Sequence, residues 1–140
     1  MDRKKELIIN QGGKNMSPSN IENTLKVTTP MASAITVVGD GRPYNVALVT
    51  LDPDAAAAYA EKAGVAPDPE QLATDPGVIA AIQAGIDAGN AKLSRVEQVK
   101  KFEIVPSFWL PGGDELTPTL KLKRRPISEK YAATIDRLYA

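Results

Sequence analysis

Two β-branched and apolar runs, 35–38 (ITVV) and 46–51 (VALVTL), stand on either side of the pentapeptide GDGRP, residues 39–43. Glycine and proline supply the turn chemistry that lets such runs fold back on one another, so the segment predicts a β-hairpin. A hairpin alone is marginal in water and needs further strands or helices on its apolar face. The rest of the chain has to supply that cover.

Upstream, residues 6–10 (ELIIN) run into QGGKN, a short branched strand entering a glycine turn. SPSNIENTLK follows. Ser17 suits an N-cap, Pro18 the first helical position, and Ile21 and Leu25 lie four apart on one helix face. Downstream of the hairpin the composition shifts to alanine. Asp52 and Pro53 open one helix and Gly64 closes it. A short helix is expected near residues 70–73 and a longer one over 76–91, with Val78, Ile79, Ile82 and Ile86 as its apolar stripe. Residues 52–95 therefore read as a helical insert between strands. VKKFEIVPSFWL resumes strand character through Val99, Phe102 and Ile104, with Phe108 and Trp109 as local core. PISEKYAATIDRLYA closes the chain as one helix, with Ile127, Tyr131, Ile135 and Leu138 on one face. The expected class is α+β: a small, mostly antiparallel sheet system, comprising an N-terminal two-stranded hairpin and a three-stranded sheet, flanked by helices. At 140 residues, one domain with a real core is expected.

The chain contains neither histidine nor cysteine. That removes thiolate metal sites, cysteine nucleophiles and the Ser-His-Asp arrangement, so any chemistry rests on lysine, arginine, carboxylates, hydroxyls or backbone. Seventeen Lys and Arg balance seventeen Asp and Glu, which argues against a dedicated nucleic-acid binder. No apolar run approaches the roughly 18 residues that would span a bilayer, and the N-terminus carries no secretory pattern, so a cytoplasmic protein is expected.

One cluster breaks this even distribution. In ELTPTLKLKRR, residues 115–125, four basic side chains crowd behind a Thr-Pro-Thr turn. In an extended segment Thr119, Lys121 and Lys123 would face one way, and Leu120 and Leu122 the other. Three readings stand at this level: a charged strand edge, a basic nucleic-acid patch, or a loop that delivers one ammonium to a phosphate.

Two segments together narrow the choice. DRKKELIINQGGKNMSPSNIE resembles the segment that opens the C-terminal domain of the adenylate-forming superfamily: an arginine, a hinge two residues on, a strand, glycine, then a short helix ending in glutamate. This superfamily includes acyl-CoA synthetases, firefly-type luciferases and peptide-synthetase adenylation domains. LTPTLKLKR resembles the closing motif of the same domain, with Leu120 before Lys121 where most members have glycine. That form, the helical insert, NAKLSRVEQVKKFEIVP and the ending YAATIDRLY are similar to long-chain fatty acyl-CoA synthetases. The resemblance runs over essentially the whole chain.

The resemblance implies a lid domain, residues 1–140, of a ligase whose large N-terminal domain binds ATP and fatty acid and is absent from this chain. The lid alone is then expected to be inactive. Lys121 matches the adenylation lysine, Arg3 the arginine that contacts the nucleotide ribose, and Lys5 the hinge. Gly12 and Gly13 match the loop that meets the pantetheine arm of CoA, and the pattern does not choose between them. Glu22 is read as structural, while Lys123, Arg124 and Arg125 stay open between surface and phosphate roles. The implied small molecules are fatty acid, ATP, CoA and Mg²⁺, the last with ligands outside this chain. The implied partner is the N-terminal domain. Peripheral membrane association is left open, as is a carrier-protein phosphopantetheine in place of CoA. A non-catalytic binding module is the reading from another class.

Overall fold

The computed structural model describes residues 7–119 and 121–139. Strands β1 (Ile8–Ile9) and β2 (Asn15–Met16) form the small N-terminal hairpin, with Ile8 opposite Met16. Helix α1 (Pro18–Val27) follows, and the Ser17 hydroxyl accepts from the Asn20 amide as an N-cap should. Strands β3 (Ala32–Val38) and β4 (Asn45–Leu51) pair antiparallel around GDGRP, as the two apolar runs predict.

The insert then unfolds as three helices: α2 (Pro53–Ala63), α3 (Pro69–Leu72) and α4 (Pro76–Asn90). Asp52 caps α2 through the Ala55 amide, and Gly64 ends it in the left-handed region at φ 73°. Asp75 caps α4 and also accepts the Tyr59 hydroxyl at 2.5 Å, which ties α2 to α4. A 3₁₀ turn at Arg95–Glu97 leads into β5 (Val99–Ile104).

The sheet order is β3-β4-β5. Within it β4 and β5 run parallel, the one departure from the antiparallel pattern. The insert explains it: a parallel pair needs a long crossover, and residues 52–95 provide one.

Strand β4 is buried along its whole length because helices cover both sides of the sheet. On one side Ile35, Val37, Ala47 and Val49 pack with Ile21 and Leu25 of α1 and with Val78, Ile82 and Ile86 of α4. Ile79, expected in that stripe, is 40% exposed. Where α4 meets α1, Gly85 and Gly89 let the two helices approach. A Cβ at Gly85 would lie 2.8 Å from the Thr28 carbonyl, and the Thr28 hydroxyl instead donates to the Gly85 carbonyl at 2.8 Å.

On the other side Ala34 and Leu48 meet Val105, Trp109, Leu116, Ile127 and Ile135. Trp109 is core, as expected. The last two residues come from α5 (Arg124–Lys130) and α6 (Ala132–Tyr139). The single closing helix of the sequence reading is thus two, parted at Tyr131, whose φ of −108° leaves the helical range. Hydrogen bonding runs on across the break, from the Tyr131 amide to Ile127 and from the Ile135 amide to Tyr131.

Candidate functional site

The segment around Lys121 is not the extended edge that alternation suggests. Leu116 pairs antiparallel with Leu122, and the chain between them turns back on itself. The Lys123 amide donates to the Glu115 carbonyl and the Thr117 amide to the Lys121 carbonyl, each at 2.8 Å. Inside the turn, the Thr117 hydroxyl accepts from the Lys121 amide at 3.0 Å and meets the Thr119 hydroxyl at 3.1 Å. Leu116 is buried and Leu122 packs beside it on the second core. These two leucines, packed side by side on the second core, pin the two arms of the turn together.

The four basic residues accordingly divide. The Lys123 ammonium folds back to the Gly113 carbonyl at 2.8 Å. The Arg124 guanidinium grips the Glu22 carboxylate. Lys121 and Arg125 are exposed and meet no carboxylate among the described residues. Of this last pair, Lys121 alone lines a cleft of about 640 Å³ between α1 and the loop. Trp109, Leu116 and Leu122 form part of its apolar wall, and Lys26 and Arg124 bring further positive charge.

The root of the Lys121 loop is anchored at both ends. Glu115 is 6% exposed. Its carboxylate accepts from the Lys130 ammonium at 2.6 Å and the Tyr131 hydroxyl at 3.3 Å. The Glu115 hydrogen bond raises the Lys130 pKa. Tyr131 in turn accepts from the Trp109 indole at 3.2 Å. At the other end stands the pair of Glu22, from the opening motif, with Arg124, from the closing one. The pair agrees with the structural reading of Glu22, and it gives Arg124 a partner 102 residues away that local sequence could not show.

Gly12 and Gly13 form the turn between β1 and β2 and do not line the Lys121 cleft. The Asn10 side chain accepts from the Lys14 amide, and the Gly13 amide donates to the Asn10 carbonyl. Gly13 sits at φ 84°, the left-handed region, whereas Gly12 does not. A side chain at Gly12 would meet only Asn10 Oδ1, at an ordinary 3.5 Å. The β3–β4 turn braces this hairpin. The Gln11 amide donates to the Arg42 carbonyl, the Gly41 amide to the Ile9 carbonyl, and the Ile9 amide to the Asp40 carboxylate. The sequence reading missed Asp40 and Glu115 as supports, and no local pattern marks either. Arg3 and Lys5 lie outside the described residues.

The family model described as "AMP-binding enzyme C-terminal domain" matches residues 5–140. The chain is 58% identical over 140 residues to a provisionally named fatty-acid–CoA ligase, fadD11, of Mycobacterium tuberculosis, covering 100% of this chain and 24% of that protein. It is 40% identical over 141 residues to the long-chain-fatty-acid–CoA ligase FadD15 of the same species, covering 98% and 23%. Among solved structures it resembles the A domain of carboxylic acid reductase from Segniliparus rugosus, in complex with AMP and a co-purified carboxylic acid. The TM-score is 0.75 at 22% identity, over 99% of this chain and 20% of that one. The chain spans about a quarter of the length of these curated relatives.

Proposed function

Because the chain belongs to the AMP-binding enzyme C-terminal domain family, we propose that it is the mobile lid of a long-chain fatty acid–CoA ligase, with Lys121 as the adenylation lysine. The observation that carries the reading is the Lys121 ammonium itself: exposed, without a carboxylate partner among the described residues, and held at the rim of a cleft on a doubly anchored loop.

Residues 1–140 act as one domain, joined in the whole protein to a larger N-terminal domain that holds ATP and the fatty acid. By itself the lid is inactive. The names and identities of fadD11 and FadD15 support a fatty acid as substrate and favour CoA over a carrier protein as acceptor. In the first half-reaction a fatty carboxylate attacks the α-phosphorus of ATP and pyrophosphate leaves. The Lys121 ammonium bridges the attacking carboxylate and the α-phosphate, holds them in line and offsets the developing charge. Its compact point charge at the end of a flexible stem suits that task. Glu22 and Asp52 also line the cleft, but Glu22 is paired with Arg124 and Asp52 caps α2, so Lys26 and Lys121 are the charges that favour an anionic occupant.

In the second half the CoA thiol attacks the acyl carbon and AMP leaves. Gly12 and Gly13 line no part of the Lys121 cleft, which fits a lid that presents two faces in turn. Lys5 is the hinge between those states and Arg3 meets the nucleotide ribose. Both assignments rest on the motif resemblance. Mg²⁺ accompanying ATP would find its ligands in the larger N-terminal domain. A cytoplasmic location, with or without peripheral membrane contact, fits this substrate set. No described helix is long and apolar enough to cross a membrane.

The test is Lys121→Ala in the full-length ligase. Loss of one preorganised charge donor costs about 2.7–4 kcal/mol of transition-state stabilisation, so adenylation should fall roughly a hundredfold to a thousandfold. Thioester formation from supplied acyl-adenylate should persist. Equal loss in both halves would overturn the assignment. Comparing CoA with acyl carrier protein as acceptor in the same assay checks the second substrate.

A further inference from the structure

We infer that Glu22 and Arg124 form a positioning clamp for Lys121, a partly buried ion pair that fixes where the lysine's ammonium can reach. The inference rests on Lys121 being the adenylation lysine.

Three features separate this pair from an ordinary surface bridge. The first is burial: Glu22 is 7% exposed, on the inner face of α1. The second is geometry. Both Arg124 terminal nitrogens reach the carboxylate, at 2.6 Å and 2.7 Å, while the Val37 amide of β3 donates to the same group at 2.8 Å. A guanidinium engaged through two nitrogens has its orientation fixed as well as its distance, which a lysine could not match. The third is placement. Arg124 stands three residues after Lys121, at the first position of α5, and both residues line the same cleft.

The clamp therefore sets one root of the loop, and the Glu115–Lys130 pair sets the other. Between them, among the described residues, only the Thr117 contacts hold the Lys121 backbone. Loosening either root lets the ammonium wander, and a misplacement of about 1 Å can cost on the order of a hundredfold in rate.

Two variants of the full-length ligase test this. Glu22→Gln keeps the shape and removes the charge. Arg124→Lys keeps the charge and removes the fork, and it decides the matter if Glu22→Gln fails to fold. Each should lower kcat for adenylation by about tenfold or more, leave KM for ATP little changed, and hold thioester formation from supplied acyl-adenylate within about twofold. Arg124→Lys should retain more adenylation activity than Arg124→Ala. In a Lys121→Ala background, Arg124→Lys should cause no further loss of residual adenylation, because the clamp acts through that lysine. A parallel fall in both halves, or full additivity with Lys121→Ala, would overturn the clamp while leaving the lysine's role intact. Undiminished adenylation in Lys121→Ala alone would instead remove the premise, and the clamp with it.

Discussion

Gly12 and Gly13 are neighbours with different reasons to be glycine. Gly13 holds φ 84°, where a side chain strains the backbone. Gly12 has ordinary backbone and room for a Cβ, so the hairpin does not need glycine there. On the proposed function, Gly12 is therefore the better candidate for the close approach to pantetheine. Gly12→Ala in the full-length ligase should fold normally, keep adenylation and slow thioester formation. Gly13→Ala should cost about 1–2 kcal/mol of stability, read by denaturant unfolding. A stable Gly13→Ala with selective loss of thioester formation would move the role to Gly13. At this scale the sequence was partly legible. It pointed to Lys121 and to the paired glycines through motif resemblance. It could not say what engages the basic neighbours of Lys121, because Lys123 and Arg124 are claimed by Gly113 and Glu22, which lie elsewhere in the chain.

Among the elements, α6 shows how the C-terminus is held down. The Tyr139 hydroxyl lies 2.7 Å from the Tyr44 carbonyl and 3.1 Å from that of Val38, and Arg42 stacks over its ring. Burial pushes the Tyr139 pKa from 10.0 up to about 12, with Arg42 pulling it down and Tyr44 adding to the rise. A phenol whose folded pKa lies above its unfolded value contributes stability that is fully present below pH 10.0 and is lost as the pH rises through about 12. Tyr139→Phe should thus flatten the alkaline limb of the stability profile, measured as the unfolding midpoint between these two values. It should also cost about 1 kcal/mol at neutral pH through the lost hydrogen bond. Element existence was the most legible layer. Ser17, Asp52 and Gly64 act within one turn of themselves, so their capping roles can be read locally. Ile79 was misread because periodicity gives the axis of an apolar stripe and not its width, which depends on what packs over it.

At the scale of the whole molecule, the proposed function has two loops of one lid take turns at a shared site, with Lys5 as the pivot. Lys5→Pro fixes φ and removes a backbone donor, so it should hold the lid in one state. One half-reaction should fall while the other survives, in parallel assays of adenylation and of thioester formation. Unchanged rates in both would count against Lys5 as the hinge.

The sequence alone determined the α+β class, the hairpin around GDGRP, the helical insert and the two motif-bearing ends. Each rests on period, caps or residue order, which act over a few residues. Only the tertiary structure decided that β5 runs parallel to β4, that Leu116 and Leu122 fold the lysine segment into a turn, and that Glu22 meets Arg124. Those outcomes depend on contacts between distant segments, where burial and hydrogen-bond satisfaction choose among partners that local sequence leaves equivalent.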